Sequence, residues 1–116
     1  MGEFRHVPDD ELRAADVPGA DADWDALNRF ALTFHGYTYW GDFLACSDVA
    51  VRANRHDRET GELPESLTEL RTMLFCHARA VRNNMGPRDE DVAHARRLCE
   101  AIRRRLNRAP PANGPT

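Results

Sequence analysis

The chain has 116 residues and a formal net charge of −3, from 16 arginines, no lysine and 19 acidic residues. A chain of this length forms one domain and leaves no room for a second. The slightly acidic balance argues against non-specific nucleic-acid binding, which normally needs a basic surplus.

Charge is divided unevenly along the chain. Residues 1–60 carry 12 acids and 6 arginines, whereas residues 61–116 carry 7 acids and 10 arginines. Such asymmetry can indicate an anionic partner for the basic half. We favour the alternative, in which the acidic N-terminal segment lies against the arginine-rich helices of the same molecule.

The cysteines and the apolar runs bear on the cellular compartment. Cys46, Cys76 and Cys99 are odd in number and widely spaced, which argues against a disulfide framework. The sequence contains no run of about 18 apolar residues that would span a membrane, and its first residues lack the apolar region of an export signal. We therefore expect a cytoplasmic protein without membrane association.

The N-terminal residues 1–20 are predicted to form a flexible acidic arm. Two prolines, a glycine and an acidic cluster leave room for one or two helical turns that start near Asp9 or Asp10. Phe4 and Val7 are the apolar residues available to hold this arm against the body. The helical domain then covers residues 21–108.

A first helix is predicted over residues 23–34, because Asp21 or Asp23 is a favourable N-cap. The apolar residues recur at helical spacing on one face, which indicates a core-facing stripe. This stripe consists of Trp24, Leu27, Phe30, Ala31 and Phe34.

An aromatic cluster bracketed by glycines, HGYTYWGD, follows at residues 35–42 and is predicted to be a loop. Tyr and Trp are frequent at the centres of binding surfaces, and loops between rigid helices often carry recognition residues. The alternative is that Tyr37 and Trp40 fold back and close the end of the core.

The second helix is predicted over residues 42–53 with Asp42 as its cap. Its apolar residues lie on two faces, which indicates contact with more than one neighbour. The charged residues 54–62, NRHDRETGE, are predicted to form a solvated connection that turns at Gly61.

The third helix has the clearest signals. Ser66 and Glu69 have the spacing of a capping box, so the helix is predicted to begin at Leu67 and to end near Asn83. Gly86 is predicted to take the left-handed conformation that often ends helices. The apolar stripe comprises Leu67, Leu70, Leu74, His77, Ala78, Val81 and Met85. The arginine flank of this helix comprises Arg71, Phe75, Arg79 and Arg82.

The fourth helix is predicted over residues 89–107, with acids in its first turn and arginines toward its end, as the helix dipole favours. The tail APPANGPT, residues 109–116, is predicted to be disordered. The whole is an all-α domain, an irregular bundle of four main helices.

Enzymatic and metal-binding functions have little support in the sequence. The possible metal ligands are His35, Cys46, His56, Cys76, His77, His94 and Cys99. No pair of them has the two-residue spacer of structural zinc sites, so neither a metal nor a cofactor is expected. His77 falls within the apolar stripe and is interpreted as a core histidine. Phosphate-binding and hydrolase motifs are absent.

Binding of a protein partner is therefore the predicted function. The candidate surface combines the aromatic loop with the arginine flank, because interface centres favour aromatic residues and arginine. It consists of Tyr37, Tyr39, Trp40, Arg71, Phe75, Arg79 and Arg82. The alternative is that Phe75 belongs to the core edge and that the arginines pair with Glu69 or with acids of the arm.

Nucleic-acid binding is the second hypothesis. It depends on the arginine flank, the arginine-rich fourth helix and the aromatic loop as a stacking platform. Against it, the fourth helix begins with Asp89, Glu90 and Asp91, which would repel phosphates from the end that recognition helices normally use.

Two segments resemble small bacterial domains of unknown function. They are W-x-x-L-x-x-F-A-L-x-F-x-G-Y, from Trp24 to Tyr37, and L-P-x-S-L-x-E-L-R-x-x-L-F, from Leu63 to Phe75. The resemblance covers residues 24–103 and implies a helical domain. It implies no activity and assigns no role to any residue.

Overall fold

The computed structural model describes residues 7–34 and 40–108. Within them the chain forms two 3-10 turns, Asp9–Glu11 and Ala14–Asp16, and four helices. The helices are α1 (Trp24–Ala31), α2 (Trp40–Thr60), α3 (Leu67–Asn83) and α4 (Asp89–Asn107). The prediction of an all-α, four-helix domain is confirmed. The predicted tail, residues 109–116, lies outside the described residues.

The capping residues set the helix starts as predicted. Asp23 accepts a hydrogen bond from the Ala26 backbone N–H (3.0 Å), and Ser66 Oγ accepts one from the Glu69 N–H (3.3 Å). These bonds satisfy backbone donors that have no partner within the helix. The bounds of α3 and α4 agree with the prediction, whereas α1 ends at Ala31 and continues into a turn that still buries Phe34.

The bounds predicted for α2 were wrong. The helix begins at Trp40, so Asp42 lies inside it, and it continues through the charged residues to Thr60. The reason is tertiary, because Asn54 and Asp57 face inward, one turn and two turns after the buried Ala50. Only the outward-facing residues of this stretch are solvated. Gly61, with φ of 79°, follows the last residue of this helix, so the chain turns at the predicted residue but directly after the helix.

Helix α3 is the centre of the fold and packs against the three other helices. All of residues 70–78 are buried, so this helix has no exposed flank over more than two turns. A helix surrounded in this way must bury residues at every angle around its axis. Among the side chains that the structure describes, the largest fully buried ones are Arg71, Leu27, Leu70, Met73, Leu74, Leu98, Ile102 and Cys99.

The N-terminal segment from residue 7 onward packs against the helices. Leu12 and Val17 belong to the hydrophobic core, and the Val7 N–H donates to the Thr33 carbonyl (2.8 Å). The segment 7–20 is thus packed on the domain through Leu12 and Val17, while Phe4 and the other residues before Val7 lie outside the described residues.

The α3–α4 connection uses its glycine differently from the prediction. Met85 has the positive φ (62°), whereas Gly86 is required because of close packing. A Cβ at Gly86 would lie 2.6 Å from Val81 Cγ1 and 3.2 Å from Asp91 Oδ2. The missing side chain therefore lets the connection pass directly over the end of α3.

Gly86→Ala should destabilise the protein by about 1–3 kcal/mol, because Val81 is buried and cannot move aside without disturbing the core. Gly19→Ala is the matched control, since its Cβ would meet Asp21 at an ordinary 3.7 Å. The measurement is the free energy of unfolding in urea. Equal stability of the two variants would contradict the packing explanation.

Candidate functional site

Arg71, predicted to be a surface residue, is buried with 2% exposure. Its Nη1 donates to the Val7 carbonyl and to Asp9 Oδ1, both at 2.7 Å, and its Nη2 donates to Thr33 Oγ1 at 3.1 Å. Its guanidinium carbon lies 5.2 Å from the centroid of the Phe34 ring. Arg71 therefore joins the N-terminal segment to α3, as in the alternative that pairs it with an acid of the arm.

The other residues of the surface predicted from the sequence include both buried and exposed ones. Phe75 is buried and packs edge-to-face on Phe34 (6.2 Å between centroids), while Arg79 is exposed with its guanidinium 5.7 Å from the Phe75 ring centroid. Arg82 is exposed. The structure thus does not present Arg71 and Phe75 beside Arg79 on an open surface. Tyr37, Tyr39 and the side chain of Trp40 lie outside the described residues.

Most arginines in the middle of α4 form hydrogen bonds with other segments of the chain. Arg96 donates to the Ala22 carbonyl (2.9 Å) and Arg103 to the Pro18 carbonyl. Arg97, although partly exposed, binds the buried carboxylate of Asp57 with Nη2 at 2.6 Å and Nε at 3.1 Å. The acidic N-terminal half therefore does lie against the arginine-rich helices, and α4 binds it through two backbone carbonyls and through the Asp57 carboxylate.

Two buried histidines meet where α2, α3 and α4 converge. The rings of His77 and His94 are perpendicular, with centroids 4.7 Å apart. Asn54 donates from Nδ2 to the Met73 carbonyl (3.3 Å), so its oxygen faces His94 Nε2 at 2.7 Å. Because that oxygen can only accept, His94 Nε2 carries the proton. His77 Nε2 likewise donates to the Asp91 carbonyl (3.0 Å).

Both histidines are held neutral by their surroundings. Burial first, and the nearby His77 second, lower the pKa of His94 to about 4, while Asp57, 3.5 Å from Nδ1, opposes the shift. Burial is also the main cause that lowers the pKa of His77. The rings border a cavity of about 280 Å³ together with Arg58 and Arg88. Since each Nε2 is committed to a hydrogen bond, the pair acts as a structural cluster that joins three helices.

Two of the three cysteines, Cys76 and Cys99, lie in the interior of the described part of the chain. Cys76 and Cys99 are buried thiols, and burial raises the pKa of Cys99 to about 12, so it stays protonated. No group of three or more His, Cys, Asp or Glu residues there is arranged to hold a metal ion. His77, interpreted from the sequence as a core histidine, is buried.

An apolar groove of about 500 Å³ lies between α2, α3 and the connection at residues 61–64. Its floor consists of apolar side chains, namely those of Ala50, Ala53, Leu63, Pro64 and Met73. Its rim carries exposed polar residues, which include His56, Glu62, Thr68 and Glu69. The groove exists because α2 places two alanines, three residues apart, where larger side chains would fill the space against α3.

The cluster of Asn54, His77 and His94 lies directly behind this groove. Asn54 is next to Ala53 in the chain, and its hydrogen bond to the Met73 carbonyl ties α2 to α3 at the groove floor. The separation of the two helices is thus fixed by a buried hydrogen bond, and the groove is part of the folded architecture. Sequence reasoning missed it because Leu63 and Pro64 lie outside the helices and alanine gives a weak hydrophobic signal.

Comparisons with protein-family models, with curated proteins and with solved structures find no match for this chain. Within the described residues, none of the helices combines the length and the apolar character needed to cross a lipid bilayer.

Proposed function

We propose that the protein is a non-enzymatic, cytoplasmic regulatory or adaptor domain that binds an apolar segment of a protein partner in the groove between α2 and α3. The observation that carries this proposal is the groove itself, with an apolar floor and a polar rim. Its volume of about 500 Å³ falls in the range typical of binding pockets, roughly 300–1,000 Å³.

The walls of the groove favour a segment of a protein chain as its ligand. Two helices and a turn form its walls, which is the arrangement that receives the apolar side chains of an amphipathic helix or an extended peptide. The buried thiols of Cys76 and Cys99 support a reducing compartment, because neither is in a disulfide.

Filling the groove should prevent binding. The probe is a set of short peptides selected from a random displayed library on the wild-type protein. We expect the selected peptides to share apolar residues, and Ala53→Trp to weaken their binding at least about tenfold because the indole occupies their place. Ala93→Trp, on an exposed position of α4, is the matched control and should bind as the wild type does. Fluorescence polarisation measures each dissociation constant.

Two results would contradict the proposal. The first is a selection that enriches no peptide, and the second is an enriched peptide that binds Ala53→Trp unchanged. If binding were lost only on joint replacement of Tyr39, Trp40 and Arg79, the surface predicted from the sequence would be the binding site. A concentration-dependent dimer that Ala53→Trp abolishes would assign the groove to a second copy of this chain.

The nucleic-acid hypothesis has a separate test. Arg71, Arg96, Arg97 and Arg103 are engaged within the protein, which reduces the basic surface available to phosphates. Electrophoretic mobility of mixed DNA and RNA, measured at low and moderate salt, checks it. A shift with steep salt dependence would support this function in place of the protein partner.

A further inference from the structure

A second cavity, of about 380 Å³, lies beside the apolar groove on the α4 side. The two share Leu63 and Pro64, which form a ridge between them. Along α4 the second cavity is lined by four arginines, Arg97, Arg104, Arg105 and Arg108. The acids Glu65 and Glu100 complete its charged lining. A partner segment that leaves the groove over the ridge would therefore enter an arginine-rich space.

The positive charges of this arginine cavity are only partly matched. Arg97 is neutralised by Asp57, with 2.6 Å between Nη2 and Oδ1. Arg108 approaches Glu65 at 3.7 Å. Arg105 donates to the Glu65 backbone carbonyl (3.0 Å), which satisfies a hydrogen bond but not a charge. In the described part of the chain neither Arg104 nor Arg105 forms an ion pair. Glu100 is the one remaining carboxylate of the lining against these two arginines, so the cavity keeps a net positive charge for a ligand.

The rim of the apolar groove has the opposite sign. Glu62 and Glu69 line its rim, and Glu62 lies 3.1 Å from His56 Nε2. An acidic residue placed in the groove would be repelled by these carboxylates. Beyond the ridge it would meet arginines, whose guanidinium groups bind carboxylates through paired hydrogen bonds. The groove therefore favours the apolar end of a bound segment, and the arginine cavity favours its acidic end.

We infer that the partner segment carries apolar residues followed, on the α4 side, by acidic residues that bind Arg104 and Arg105 across the Leu63–Pro64 ridge. This inference rests on the proposed function, since the apolar part of the segment occupies the groove. The arginine cavity adds orientation, because reversal of the segment would place its acids against Glu62 and Glu69.

Paired peptides test the inference. A peptide selected on the groove is synthesised with a short tail of glutamates or of glutamines, attached at either end. At low salt we expect one glutamate-tailed peptide to bind about five- to tenfold tighter than its glutamine twin, from a few ion pairs of modest strength. High salt should remove this advantage, because salt screens exposed charges. The tail at the other end should bring no gain.

Variants assign the advantage to particular residues. Arg104→Gln with Arg105→Gln should abolish the preference for glutamate, so that the glutamate and glutamine peptides bind this variant equally. Arg104→Gln alone should reduce the preference, and it keeps the Arg105 hydrogen bond to Glu65. The matched control is Arg29→Gln with Arg82→Gln, which removes the same charge from exposed positions on α1 and α3.

The outcomes separate the two proposals. If both peptides bind equally in every arm while Ala53→Trp still weakens them, the acidic partner is wrong and the groove function stands. If neither peptide binds the wild type, both proposals fail. A fluorescent DNA duplex that binds the wild type at the same salt but not the Arg104→Gln, Arg105→Gln variant would assign the arginines to phosphates and overturn the inference.

Discussion

Replacing Arg71 by alanine is expected to lower the free energy of unfolding by about 3–5 kcal/mol, because it breaks a buried ion pair and leaves a cavity. The guanidinium joins three groups at once, the carboxylate of Asp9, the carbonyl of Val7 and the hydroxyl of Thr33. Asp9 is partly exposed and can be solvated by water in the variant. We therefore expect the lower end of this range, measured by urea unfolding followed by circular dichroism.

Two further variants show what Arg71 contributes. Arg71→Lys keeps the charge but not the fork that reaches Asp9 and Thr33 together, so about half of the loss should remain. Arg79→Ala, two turns later on α3, is exposed and should cost under about 1 kcal/mol. An effect of Arg71→Ala as small as that of Arg79→Ala would show that the N-terminal segment does not depend on this contact.

Acidification from about pH 7 to about pH 4 is expected to cost the wild-type protein about 3 kcal/mol more than it costs a His94→Gln variant. Burial lowers the pKa of His94 from its ordinary 6.5 to about 4 in the folded state. Between these two pH values the unfolded chain binds a proton that the folded protein does not. Stability is therefore complete above about pH 6.5 and is lost as the pH falls toward 4.

Urea unfolding at several pH values measures this difference. Glutamine at position 94 can still donate a hydrogen bond to the Asn54 oxygen, but it does not titrate in this range. His56→Gln is the control, because His56 is exposed on α2. The lowered pKa of His77 acts in the same direction, so the doubly substituted His77→Gln, His94→Gln protein should be less sensitive still. Parallel curves for the wild type and His94→Gln would refute the effect.

The same cluster links stability to the proposed binding site. Protonation of His94 adds a positive charge beside His77 and close to the Asn54 bridge that ties α2 to Met73. The groove depends on the spacing of α2 and α3. Peptide binding in the groove should therefore persist at neutral pH and decline over the pH range in which the fold loses stability.

The extent to which the structure could be predicted differs between elements. Helices α3 and α4 were predicted with their bounds, because Ser66 caps the first and because apolar residues recur at three- and four-residue steps in both. Helix α2 was predicted too short, since a charged stretch gives no apolar signal. The spacing of Ala50, Asn54 and Asp57 is helical and could have indicated the longer α2. Using it would have required the assumption that the polar Asn54 and Asp57 face inward.

The candidate site was largely out of reach of sequence reasoning. Arg71 and Phe75 share an angle on α3 with Arg79, and that angle was interpreted as a surface. The first two are buried because the N-terminal segment and the chain after α1 cover the first turns of the helix, a contact between residues about 60 positions apart. The groove likewise depends on which helix faces the two alanines of α2.

The sequence by itself determined the helical class, the caps of α1 and α3, the order of the helices and the acidic and basic halves, because these follow from local spacing and backbone chemistry. Only the tertiary structure decided which polar groups are internal. Arg71 and Asp57 are residue types typical of a solvated surface, yet each is buried and pairs with a group distant in the chain. Charge in a sequence therefore does not separate surface from core, since a charged residue can be buried wherever the fold supplies its partner.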